Sequence, residues 1–383
     1  MDDHFQHRGY FQQTLKTPFI VKDSDTIQEA EKALKDCLES PPFIQAVKFD
    51  ERERSEGSSQ PDLVARITTP DGEKIVFIEV KNNGQPRYAR QAINELTLYA
   101  QSSPDSYGIF IAPYISPSSA RMLKEAGIGY VDFAGNCLLN FEKVFINIEG
   151  KPNPFPKSRE LRTLFSPRAS RIIRVLLDDP FVAWKVNEVS KKAEVSLGLV
   201  ATVKKILLDR EWIMERNVGF ALIKPEELLQ EWVSQYTYRK NRISTLYSIK
   251  DESAIEQELK EYCSVNNIRY ALTLFSGASR VAPYARYKGV YAYVADGSKE
   301  TMLQQALGLK QVATGPNITF LVPYDEGVFY GLMKYNEMPV VSPIQLYLDL
   351  KSYKGRGEDA AQFLFEQVIE PSWLQKQTTE KER

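Results

Sequence analysis

Between Pro61 and Arg87 the chain reads PDLVARITTPDGEKIVFIEVKNNGQPR, and its hydrophobic pattern predicts a β-hairpin. Leu63, Ala65 and Ile67 alternate with Val64 and Arg66, the period-2 signature of a half-buried strand. Pro70, Asp71 and Gly72 turn the chain. The second arm, Lys74 to Lys81, is almost continuously apolar through Ile75, Val76, Phe77, Ile78 and Val80, as a strand inside a sheet should be. Glu79 and Lys81 close it, with both side chains on one face.

Around this hairpin the periodicity predicts further elements. Ser24 to Leu38 places Ile27, Ala30, Leu34, Cys37 and Leu38 on one helical stripe. Phe43 to Phe49 reads as the first strand and Glu51 to Gln60 as a flexible loop. Asn82, Asn83 and Gly84 stop the hairpin, and Arg87 to Ala100 forms an amphipathic helix with Ala89, Ile93, Leu96 and Ala100 inward. A strand at Tyr107 to Ala112 and a helix at Pro117 to Ala126, closed by Gly127, come next. The segments GIGYVDFAGNCLLNF and VFINIEG then run to Gly150. Asp132 to Asn136 is either a loop lining a site or a turn with Asn136 left-handed. The order is an α-β-β-β-α-β core with an appended α/β piece.

Lys151 to Pro156 is a proline-rich linker. Three helices are predicted after it, at Pro167 to Leu177, Val186 to Ala193 and Leu197 to Leu208, with a turn at Glu194 to Ser196. Trp212 to Glu215 and Phe220 to Ile223 make a hairpin about Asn217 to Gly219. A helix over Glu226 to Tyr238 leads to a final α/β layer, in which YALTLF, VYAYVA and ITFLVPY alternate with the helices ESAIEQELKEYC, SRVAPYA and KETMLQQAL. The expected division is therefore residues 1–150, 157–225, 226–250 and 251–383, an α/β multidomain chain.

Composition narrows the chemistry. With 383 residues, 43% hydrophobic and 26% charged, this is an ordinary globular composition for two or three domains. No apolar run approaches a membrane span and the N-terminus has no signal-peptide h-region, so a cytoplasmic protein without a membrane partner is expected. Cys37, Cys137 and Cys263 are scattered, and His4 and His7 are the only histidines, which leaves little room for disulfides, zinc or histidine catalysis. Net charge is −1, yet Pro156 to Lys250 holds 18 basic against 11 acidic residues, the footprint of a surface for phosphate.

Asp62 at the head of one arm and Glu79 at the end of the other offer hard oxygen ligands for Mg²⁺, and Lys81 can act on a water or on developing phosphate charge. A Glu and a Lys two apart on a strand also occur as an ordinary ion pair. Pro61-Asp62 followed by Glu79-Val80-Lys81 resembles the PD-(D/E)XK nuclease superfamily. The resemblance implies a restriction-endonuclease-like fold, Mg²⁺ or Mn²⁺ held by Asp62 and Glu79, and Lys81 assisting the attacking water. It also implies a supporting Gln, matched by Gln91, and an additional acid on the first helix, Glu29 or Glu31. Related helicase-associated nucleases carry Q-x-x-x-Y in the following helix; Tyr99 keeps the spacing, with Glu95 in the Gln position. Arg87 and Arg90 are candidates for phosphate contact.

The three helices and hairpin resemble a winged helix-turn-helix, which implies duplex DNA as partner. Ser196, Thr202, Lys204 and Lys205 are its groove-facing candidates, with Leu199, Val203, Ile206 and Leu207 inward. Phe275-Ser276-Gly277-Ala278-Ser279 before Val290 to Val294 is similar to the signature of minimal nucleotidyltransferases, but Tyr291 and Tyr293 stand in the D-x-D places, so a degenerate fold without nucleotidyl transfer is expected. The order of winged helix, α/β layer and SPIQLYLDLKSYKGRGEDAAQFLFE resembles the antitoxins of type IV (abortive-infection) toxin–antitoxin systems, implying a cognate toxin as partner; a homodimer is also compatible. Two function classes follow: a divalent-metal-dependent nuclease delivered to DNA by a winged helix, and a non-catalytic DNA-binding regulator or antitoxin that keeps the nuclease fold as scaffold.

Overall fold

The computed structural model describes residues 24–38, 44–50, 60–69, 72–154, 164–284 and 288–381. The N-terminal arm, the start of the first expected strand, nearly all of the Glu51 to Gln60 loop, the Pro70-Asp71 turn and the end of the linker lie outside the described residues. The chain divides into two compact units, Met1–Phe155 and Pro156–Arg383. Among the described residues no helix is long and apolar enough to cross a membrane.

The N-terminal unit is a seven-stranded sheet in sequential order, β1 (Ala46–Phe49), β2 (Leu63–Thr69), β3 (Gly72–Val80), β4 (Tyr107–Ala112), β5 (Gly129–Asp132), β6 (Cys137–Phe141) and β7 (Val144–Ile148). The first three strands are antiparallel, β3, β4 and β5 run parallel, and β6 and β7 return antiparallel. Strand alternation divides the side chains between two faces. Val76, Ile78, Val80, Ile109 and Ile111 pack with Ile27, Ala30 and Leu34 of helix α1 (Ser24–Leu38). Phe110, Ala112 and Tyr130 face the other way, onto α2 (Pro86–Ser102) and α3 (Pro117–Glu125). Helix α2 buries Ala92 where Ile93 was expected, and Ile93 and Ala100 are only half-buried.

The Asp132 to Asn136 segment is a locked turn. Buried Asp132 accepts from the backbone N–H of Asn136 at 2.8 Å and from its side-chain amide at 2.9 Å. Gly135, at φ +90°, takes the left-handed position expected of Asn136.

The C-terminal unit carries a second seven-stranded sheet, in the order β13-β10-β14-β12-β11-β16-β15. Its strands are β10 (Arg242–Tyr247), β11 (Tyr270–Leu272), β12 (Val290–Val294), β13 (Lys310–Gln311), β14 (Ile318–Val322), β15 (Met333–Tyr335) and β16 (Met338–Val340). Strand β10, paired on both sides, falls inside the 226–250 segment set apart as a connection, and the helix expected to reach Tyr238 ends at Gln235. Likewise the expected strand over YALTLF stops at Leu272, because Leu274 adopts a left-handed φ of +46° and starts a helix, α9 (Leu274–Val281), that takes in Phe275. One sheet face packs on α8 (Glu252–Val265) and α10 (Gly297–Ala306).

The other face holds everything else together. Helices α4 (Pro167–Asp178), α5 (Val186–Ala193), α6 (Leu197–Asp209) and α7 (Pro225–Gln235), the hairpin β8 (Ile213–Arg216) and β9 (Gly219–Leu222), and the C-terminal helices α11 (Pro343–Lys351), α12 (Arg356–Leu364) and α13 (Glu370–Lys381) share one continuous apolar core with Ala271, Tyr293 and Leu321 of the sheet. The three segments set out in sequence as separate domains thus bury their apolar side chains together.

A polar network runs through this core. The fully buried carboxylate of Asp349 accepts from Thr273 Oγ1 at 2.5 Å, Tyr236 Oη at 2.6 Å, Gln345 Nε2 at 2.9 Å and Tyr293 Oη at 3.0 Å. Gln345 in turn accepts from buried Arg174 of α4, whose guanidinium lies 4.8 Å over the Trp232 ring. Burial pushes the Asp349 carboxyl above its ordinary value against the pull of these donors. Tyr293 is thus tied into the network, while Tyr291 packs edge-on to Phe275 and Tyr353. The substitution Asp349→Ala strands several buried donors, and we expect it to remove about 3 kcal/mol or more of stability from this unit. Urea unfolding followed by tryptophan fluorescence reads this directly, and a loss below about 1 kcal/mol would mean that the network does not hold the core.

Candidate functional site

In β3 the residues Val76, Ile78 and Val80 point to α1, so Phe77 and Glu79 point to α2, and Lys81 follows on the same side. Asp62 lies one residue beyond the Leu63↔Ile78 pair of the β2–β3 ladder and so stands opposite Glu79 on that face. On α2, Gln91, Glu95 and Tyr99 follow one another at four-residue steps, a single stripe. Strand and helix together assemble one polar cluster.

Its centre is Lys81. The ammonium donates to Glu79 Oε2 and to Glu95 Oε2, each at 2.7 Å. Tyr99 Oη donates to the second Glu79 oxygen at 3.2 Å, and Gln91 Nε2 to the second Glu95 oxygen at 2.9 Å. Asp62 turns one oxygen to the backbone N–H of Val80 at 2.8 Å. Glu79 is only 2% exposed. Burial pushes its carboxyl up, and the Lys81 charge pulls it back only in part. Burial alone would push Lys81 down, but Glu79 and Glu95 outweigh it and hold the ammonium above its ordinary value. Glu95 goes the other way: burial raises it, and the bonds from Lys81 and Gln91 bring it below its usual range.

Folding therefore brings Asp62, Glu79, Lys81 and Gln91 together, but Gln91 reaches the cluster through Glu95 and not by touching Glu79. Glu95 is the member the sequence reading set aside, although its place between Gln91 and Tyr99 on one helical stripe was the available signal. Glu29 and Glu31 belong to α1, which packs on the opposite face of the sheet. Arg87 and Arg90 are exposed on α2. Among the described residues, no three acids or other ligating side chains converge as a ready metal cage.

The C-terminal unit offers a second surface. Glu194, left-handed at φ +53°, ends α5 and turns the chain into α6, whose N-cap is Ser196. The buried face of α6 is Val200, Val203, Ile206 and Leu207, and Leu199 is half-buried against the same core. Trp184 bridges to Phe220 and adds a third backbone segment to the β8–β9 hairpin. At Gly219, φ +95°, a Cβ would sit 2.1 Å from the Trp184 carbonyl oxygen, so only glycine fits. Of the four expected DNA contacts, Ser196 and Thr202 are exposed but engage the helix backbone, through Leu199 N–H and the Gly198 carbonyl. Lys204 pairs with Glu215 of the hairpin at 2.8 Å and lies over Phe220. Lys205 is exposed.

Residues 221–370 match the AbiEi_2 family model, described as "Transcriptional regulator, AbiEi antitoxin, Type IV TA system". A comparison with curated proteins gives no match. Among solved structures, EndoMS in apo form is 21% identical over 30% of this chain and 47% of its own. An EndoMS–dsDNA2 complex is 23% identical over 27% and 44%, and a repair endonuclease from Pyrococcus abyssi 19% over 27% and 46%. The TM-score is 0.20 for all three, a likeness that supports no assignment, and the chain spans less than half the length of each.

The Lys81 clamp sets an alkaline limit on the N-terminal unit. Its ammonium is held above the ordinary 10.5, so its contribution to stability is fully present below that pH and is lost as pH rises through the higher folded value. Urea midpoints measured between about pH 9 and about 12 should fall for wild type and fall less steeply for Lys81→Met; parallel curves would separate Lys81 from the alkaline loss.

Proposed function

We propose that the chain is a DNA-binding transcriptional regulator of antitoxin type, with α4, α5, α6 and the β8–β9 hairpin acting as a winged helix-turn-helix. The observation that carries this reading is the common core: the helices and hairpin that would meet DNA are packed into the same unit as the segment matching a transcriptional-regulator family. Helix α6 presents one face to solvent at the end of a tight turn, as a recognition helix must. The excess of basic residues between Pro156 and Lys250 supplies the electrostatic attraction to phosphate. A cognate toxin is the protein partner that this reading implies.

A second reading, a nuclease with the restriction-endonuclease-like PD-(D/E)XK fold in the N-terminal unit, is favoured by one observation: Asp62, Glu79 and Lys81 stand on one face at the end of the hairpin. Asp62 and Glu79 carry hard oxygens of the kind Mg²⁺ or Mn²⁺ takes and would hold the ion, which would supply Lewis-acid activation of water. Lys81, kept protonated by two carboxylates, then serves to offset phosphate charge and not to take a proton from water.

Fluorescence anisotropy of a labelled duplex titrated at several salt concentrations tests the first reading. Wild type should bind with a negative salt slope, and Lys205→Ala should reduce that slope by about one unit, more than Lys204→Ala, whose ammonium is already paired with Glu215. No duplex binding at low salt would sink the regulator reading. The same preparation with Mg²⁺ or Mn²⁺ and plasmid, linear or single-stranded substrates tests the second: cleavage by wild type that Glu79→Gln abolishes would make it an enzyme.

A further inference from the structure

The outward face of α6 has an unusual chemistry for a helix expected in a major groove. Its sequence, LGLVATVKKILLD, contains no Arg, Asn, Gln or His. Arg, Asn and Gln are the forked side chains that read guanine and adenine; lysine can also reach guanine, and of the two lysines here Lys204 is paired with Glu215 and Lys205 is exposed. The exposed positions form two adjoining stripes, Leu197, Ala201 and Lys205 on one and Gly198 and Thr202 on the other. Leu197 is 55% exposed, an apolar side chain with no core to fill. The Thr202 hydroxyl donates to the Gly198 carbonyl at 3.0 Å, so its hydrogen is used on the helix itself, and outward it offers an acceptor oxygen and its γ-methyl. Glycine at 198 lets a partner approach the backbone closely.

What the apolar part of this face, Leu197, Ala201 and the Thr202 methyl, can recognise is a methyl group. In the major groove only thymine presents one, at C5, and contact with apolar side chains or the threonine methyl is how it is read. Charge selects DNA over a protein as occupant: Lys205 on the stripe, Lys185 and Lys191 on and before α5, and Arg216 on the hairpin are all exposed, in a segment with 18 basic against 11 acidic residues. We infer that the Leu197–Ala201–Thr202 face of α6 reads thymine C5-methyl groups in the major groove, so that the chain prefers T-containing duplex sites. This rests on the DNA-binding reading above and adds to it the feature of the base that is recognised.

The test uses the full chain and four alternating duplexes of equal length: d(A-T), d(A-U), d(G-C) and d(G-5-methyl-C). Replacing thymine by uracil removes the methyl and leaves every hydrogen-bonding edge and the minor-groove pattern unchanged, while 5-methylcytosine restores a methyl at the same groove position. Wild type should bind d(A-T) more tightly than d(A-U), by about fourfold for each methyl buried, and d(G-5-methyl-C) more tightly than d(G-C). In Leu197→Ser, with thermal unfolding checked against wild type, both ratios should fall towards one, whereas Lys205→Ala should weaken all four duplexes alike. Equal affinity for d(A-T) and d(A-U) overturns the inference and leaves DNA binding standing. Failure to bind any duplex overturns both and gives the apolar stripe to a protein partner.

Discussion

A charge taken out of water must be met where it lies, and each unit of this protein is arranged around one such obligation. In the N-terminal unit it is Glu79, delivered into the sheet–helix interface by the alternation of β3 and answered by Lys81, which in turn needs Glu95. In the C-terminal unit it is Asp349, sunk into a core of aromatic and aliphatic side chains and answered by four donors from three helices or their caps and one strand. Neither cluster tolerates the loss of one member easily, because the rest remain buried.

The same logic bears on chemistry. A lysine that already neutralises two carboxylates has no lone pair to offer at neutral pH, and a carboxylate already saturated by four donors has little capacity left for a metal. Tyr291 packs in an aromatic group and Tyr293 donates into the Asp349 network. Both side chains belong to the structural core of the C-terminal unit.

Much of this was legible in the sequence because apolar periodicity reports burial. The β2–β3 hairpin, β4, α5, α6 and β12 were readable to within a residue or two, β2 and the helices through one apolar side and the inner strands through unbroken apolar runs. Strand β10, RISTLY, escaped because only Leu246 is fully buried, so no alternation marks it. The helix beginning at Leu274 escaped because a left-handed leucine is a tertiary imposition that no local pattern announces. Within the cluster, Asp62, Glu79 and Lys81 were visible through a motif, whereas the role of Glu95 depended on which face of α2 meets the strand. The charge of Lys204 on its helix is visible in sequence, whereas its ion pair with Glu215 depends on where the neighbouring hairpin folds.

The continuous core of the C-terminal unit has a practical consequence for anyone cutting the chain into pieces. A fragment ending near Lys250 would carry Trp232 and Tyr236 without the helix that covers them, and strand β10 without β13 and β14 on its two sides. Such a fragment exposes an unpaired strand edge beside a bare apolar face, the combination that drives chains to self-associate. The apparent boundaries between modules in the sequence are therefore poor places to cut. The division between Phe155 and Pro156 keeps that core in one piece.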